Sequence, residues 1–147
     1  MAHPAQVTAR PTRGTRTRPP NVLSDRTHRI ARWAVPVVLG LLYGYWAAAN
    51  RRAGGPITGW NILFGFVSAI VFALLMAGAL RLGPRLKRET HAAMWFAFTG
   101  LTIGFLYSQT GQSVLLAVGI SLALGVAVGL MCFYWFYTHE DAEGHRI

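Results

Sequence analysis

Four apolar stretches, residues 33–49, 57–80, 92–107 and 114–137, contain no Asp, Glu, Lys or Arg. A hydrocarbon core about 30 Å thick is crossed by about 20 apolar residues in a helix, with about 17 as the lower limit. Each stretch lies close to or above that limit. The expected fold is therefore an all-α membrane protein with four transmembrane helices. Hydrophobic residues make up 53% of the chain and charged residues 13%, about half the charged share of a soluble domain. A water-soluble fold would leave most of this apolar surface exposed, so it is excluded.

The charge is concentrated at the ends of these stretches. Of fourteen basic residues, seven precede the first stretch (Arg10, Arg13, Arg16, Arg18, Arg26, Arg29, Arg32) and four separate the second from the third (Arg81, Arg85, Lys87, Arg88). Arg51 and Arg52 follow the first stretch, and Arg146 lies in the tail. A cytoplasmic N-terminus places all but Arg51 and Arg52 on the inner side, so the positive-inside rule predicts an N-in, C-in topology. Aromatic side chains give the same register. Tyr43, Tyr45, Trp46, Trp60 and Tyr107 fall at the outer boundary; Trp33, Trp95 and the run 133–137 fall at the inner one. Arg outnumbers Lys thirteen to one, a bias typical of high-GC bacterial genomes, which points to a bacterial inner membrane. The single Cys132 excludes an internal disulfide.

Residues 1–23 read as a disordered basic tail, because this Pro- and Arg-rich run buries too little surface to offset its ordering entropy. Residues 24–138 form the transmembrane domain, and 139–147 an acidic cytoplasmic tail. Ser24 and Asp25 mark a helix start. Arg26, Arg29 and Arg32 then share a face of an amphipathic lead expected to lie on the cytoplasmic leaflet, with a kink at Pro36. Ala47–Ala49 resembles a signal-peptidase site, but the long leader and the bulky Tyr45 and Trp46 favour an alanine-rich helix end. Gly54, Gly55 and Pro56 end the first helix in a tight outer turn. The six residues between the last two stretches force an antiparallel helical hairpin.

Within the spans the specialised residues are small. Gly40 and Gly44, Gly100 and Gly104, and Gly125 and Gly129 form GxxxG pairs; Ser121 extends the last, and Gly65 pairs with Ala69. Such faces let helix backbones approach closely where lipid supplies no hydrophobic drive. They serve either to pack the four helices together or to contact a second copy or a larger membrane protein. Asn61, Ser68, Thr99 and Thr102 form a candidate polar path, the blander reading being hydrogen bonds across helices or to their own carbonyls. Arg26, Arg29, Arg32, Arg81, Arg85, Lys87 and Arg88 are expected to meet anionic headgroups of the cytoplasmic leaflet.

No catalytic residues, metal or cofactor are assigned. Within the apolar stretches no Ser or Cys nucleophile has a nearby His and carboxylate. There is no HExxH, P-loop or dinucleotide fingerprint. His91 and His139 fall at the same membrane surface without metal-ligand spacing. Nucleic acid is not expected, since the basic tail lacks interleaved aromatics. In size and span number the chain is similar to the small multidrug-resistance antiporters, whose coupling depends on a glutamate in the first span; none is present here. The sequence thus favours a non-catalytic accessory or structural subunit acting through glycine-rich faces. The alternative is a small transporter or channel subunit for an uncharged or small solute.

Overall fold

The computed structural model describes residues 25–139. The N-terminal tail, the Ser24 cap and the acidic tail from residue 140 lie outside the described residues, as do the side chains of Asp25, Arg26, His28 and Arg29. Four long helices follow one another: α1 (Asp25–Arg52), α2 (Gly59–Leu82), α3 (Arg88–Ser108) and α4 (Val114–His139). A single 3-10 turn, Gly83–Arg85, separates α2 from α3, and no strand occurs among the described residues. Among the described residues, three segments are long and apolar enough to cross a membrane: Ile30–Arg52, Gly59–Arg85 and Val114–His139. The chain is compatible with a multi-pass membrane protein. Helix α3 is outside that set, because it opens on Arg88-Glu89-Thr90-His91 and carries Thr99, Gly100, Thr102 and Gly104 in its middle.

The helix ends follow local chemistry. Helix α1 is unbroken from Asp25 to Arg52, so the basic lead and the first apolar stretch are one element. Pro36 lies inside it, fully buried. Arg51 and Arg52 occupy its last turn, where a cation is favoured by the negative end of the helix dipole. The helix end thus gives Arg51 and Arg52 a local reason to be where they are, independent of any charge count. Ala53 and Gly54 then take positive φ values of 46° and 84°, which turn the chain sharply. Thr58 caps α2, its hydroxyl accepting from the Asn61 N–H at 3.2 Å. Thr58 is exposed, so Thr58→Val removes the cap and little else. The expected cost is about 1 kcal/mol, to be read as a lowered unfolding midpoint in detergent micelles. Ser113 plays the same part for α4, accepting from the Leu116 N–H at 3.3 Å.

The four helices form two antiparallel hairpins, α1 with α2 and α3 with α4. The hairpins meet through α3, which touches both α1 and α2, whereas α4 packs on α3 alone. No square bundle results. The order across the molecule is the α1/α2 pair, then α3, then α4 at the edge.

Candidate functional site

The small residues determine how close each hairpin is. A Cβ added at Gly40 would stand 2.7 Å from the Ala69 carbonyl oxygen and 2.9 Å from the Ala73 Cβ. At Gly44 it would run into the Gly65 carbonyl oxygen, with the Ala69 Cβ at 2.7 Å. Gly65 in turn faces Ala48 and Gly44. The α3/α4 hairpin is built the same way. Gly100 and Gly104 face Ser121, and Gly125 and Gly129 close on Phe96, whose Cβ would be 2.9 Å from a Cβ at Gly129. Each glycine pair from the sequence therefore seats within a hairpin, against a partner in this chain. The small positions that remain open are others. Gly119, Ala123 and Ala127 are exposed on α4, and nothing lies within 4 Å of a Cβ at Gly119.

The two hairpins are joined differently, by aromatic rings and two hydrogen bonds. The Tyr43 hydroxyl donates to the Thr102 carbonyl at 2.7 Å, and the Asn50 amide donates to the Leu106 carbonyl at 3.2 Å. Tyr43 stacks on Phe72 at 4.5 Å between centroids, Phe72 meets Phe98 at 5.4 Å, and Phe64 stacks on Phe105 at 6.2 Å. Tyr43 thus turns inward, away from the interfacial belt in which its sequence position suggests it belongs. Tyr43, Ala47 and Asn50 share one stripe of α1 at helical spacing, and Ala47 is fully buried. Two polar groups flanking a small residue on one face is the signal that marks this contact in the sequence.

Between the hairpins lies a cavity of about 380 Å³. Its walls are rings from three helices: Tyr43 of α1, Phe64 and Phe72 of α2, and Phe105 of α3. Ser68 and Thr102 also line it, with no charged side chain. The Thr102 hydroxyl is occupied by the carbonyls of Phe98 at 2.8 Å and Thr99 at 3.2 Å. Asn61 is elsewhere. Its amide donates to the Ala48 carbonyl at 2.9 Å, and the residue lines a separate groove of about 300 Å³ on the α1/α2 face, beside Arg52. The structure brings Ser68 and Thr102 to one cavity and puts Asn61 in the other. Thr99 lines neither and contributes its carbonyl to Thr102.

At the other end the basic residues are held by rings. Arg81 lies over Trp33 at 4.3 Å and Arg88 over Tyr137 at 4.5 Å, pairs in which the ring quadrupole attracts the guanidinium. Arg32, Arg85 and Lys87 are exposed in the same region. His91 stacks on Phe136 at 4.0 Å and its ring rests on Gly83, while His139 stacks on Trp135 at 4.3 Å. No family model, curated protein or solved structure matches this chain.

Proposed function

We propose that this chain is a non-catalytic accessory subunit of a bacterial inner membrane that docks a second membrane helix along the outer face of α4. The observation that carries this reading is the position of α4. It packs on α3 alone, and it leaves an exposed row of Gly119, Ala123 and Ala127 at four-residue spacing. A small-residue row allows close approach of another backbone. The GxxxG pairs are already occupied inside the hairpins, so docking uses this row. The occupant is a second copy or a larger membrane protein.

All four helices cross the bilayer in this reading, with both termini cytoplasmic. Support for the third crossing is the short link after Ser108, which returns the chain directly into α4 along the length of α3. At about 1.5 Å per residue, the 21 residues of α3 cover about the thickness of the hydrocarbon core. Support for the orientation is the basic excess in the sequence before the first apolar stretch (Arg26, Arg29, Arg32) and on the α2–α3 connection (Arg81, Arg85, Lys87, Arg88), residues that meet anionic headgroups in this reading. The bilayer itself is thus the first partner.

A photo-crosslinking amino acid at Gly119 is expected to give one defined protein adduct in intact membranes, lost when Ala123→Phe fills the row. An adduct that persists in Ala123→Phe, or lipid adducts alone, would remove the docking reading. For the topology, Thr110→Cys in a Cys132→Ala background should react with an impermeant maleimide only from outside the cell. Reaction from the cytoplasmic side would reverse the assignment.

A further inference from the structure

The cavity between the hairpins has the make-up of a ligand site, independently of how α4 docks. Its floor is Ser68, which is 7% exposed and makes no hydrogen bond to any described residue. A buried hydroxyl without a partner is unusual, since buried polar groups are nearly always paired. In lipid, water is not at hand to pair it. Its rim is apolar and open: Leu101 is 74% exposed and Leu75 56%. The mouth therefore faces the hydrocarbon.

Depth and chemistry narrow the occupant. Ser68 stands ten residues into α2 counting Gly59 as the first, about 14 Å along the axis at 1.5 Å per residue. That is near the middle of a core about 30 Å thick. Phospholipid polar atoms stay at the interface, so an acyl chain entering here leaves the hydroxyl unpaired. No charged side chain lines the cavity, which selects an uncharged molecule. The Tyr43 hydroxyl already donates its hydrogen bond to the Thr102 carbonyl, and the Thr102 hydroxyl donates to α3 carbonyls. Among the lining side chains the free donor is the Ser68 hydroxyl, and it needs an acceptor oxygen. The four aromatic walls favour a flat ring, which stacks offset or edge-on against them.

We infer that this cavity binds the head of an uncharged, ring-bearing lipid carbonyl of the quinone class, with the Ser68 hydroxyl donating to a ring carbonyl and the tail leaving past Leu101. The volume of about 380 Å³ is within the range of small-molecule sites, about 300–1,000 Å³.

The test uses the full chain in phosphatidylcholine/phosphatidylglycerol nanodiscs and a decyl-tailed azidobenzoquinone as photoprobe. Labelling should map to α1, α2 and α3 around Tyr43, Ser68 and Phe105, and decylbenzoquinone should compete it away. Ser68→Ala is expected to weaken that competition about tenfold. Leu101→Trp, which blocks the rim from an exposed position, should abolish labelling without lowering the unfolding midpoint. Unchanged affinity in Ser68→Ala would overturn the inference. So would equal competition by decane, which would make the cavity an acyl-chain crevice.

Discussion

Gly44→Ala is expected to cost about 3 kcal/mol or more, at the upper end of what overpacking in a core exacts. The new Cβ would run into the Gly65 carbonyl oxygen, with the Ala69 Cβ at 2.7 Å and the Ala69 nitrogen at 2.9 Å. Two of these are backbone atoms of a helix, which no rotamer change moves. Relief requires α1 and α2 to separate along their whole crossing, and their contact is the main packing of that hairpin. The same substitution is expected to be within about 1 kcal/mol of neutral at Gly78 and Gly119, where alanine's helix propensity acts without opposition. Nothing lies within 4 Å of a Cβ at either position. Gly100→Ala should lie near these, its nearest neighbour being the Ser121 carbonyl oxygen at 3.6 Å. Unfolding free energies in mixed micelles would measure all four. A Gly44→Ala protein as stable as Gly78→Ala would show that the hairpin is not closed on this face.

The same glycines show how far a sequence of this kind can be read. Absence of charge locates apolar helices because a membrane enforces it residue by residue. The GxxxG spacing is equally local, since it states that one face of one helix is small. It does not say what lies opposite. Gly125 and Gly129 meet the Phe96 ring and backbone, about thirty residues earlier, and no rule of spacing chooses that partner over a second copy. The junction of the hairpins was less legible still. It depends on Tyr43 reaching Thr102 and Asn50 reaching Leu106, contacts 59 and 56 residues apart. Tyr43 satisfies the rule for an interfacial aromatic as well as for a buried one, so its position alone does not decide. In the candidate site, Ser68 and Thr102 stand out as polar residues in apolar runs, but Phe64, Phe72 and Phe105 look like any lipid-facing phenylalanine. Only the crossing of α1, α2 and α3 turns them into a wall.

Phe72→Ala should separate the hairpins while leaving each one folded. Phe72 is the central ring of their junction, 4.5 Å from Tyr43 and 5.4 Å from Phe98. Truncating a packed phenylalanine costs about 3–5 kcal/mol in a soluble core, less in a bilayer where acyl chains refill the space. The contact it supports is thin, for α3 touches α1 and α2 far more lightly than the helices touch within either hairpin. The remaining Tyr43–Thr102 and Asn50–Leu106 bonds are worth about 0.6 kcal/mol each, at the average for interhelical hydrogen bonds in membranes, and cannot hold two hairpins that packing has released. Spin labels at Gly78 of α2 and Ala93 of α3, both exposed, would report the junction in a Cys132→Ala background. Their distance distribution should broaden and lengthen in Phe72→Ala. Labels at Leu41 and Val67, one on each helix of the first hairpin, should keep theirs. Phe133→Ala is the matched control: its ring is exposed on α4 and contacts Tyr137 of its own helix, so no distance should change. An unaltered Gly78–Ala93 distance in Phe72→Ala would mean that the hairpins are held together by something other than this ring stack. In that case the cavity beside Ser68 would lose the Phe72 wall but keep its other sides in place.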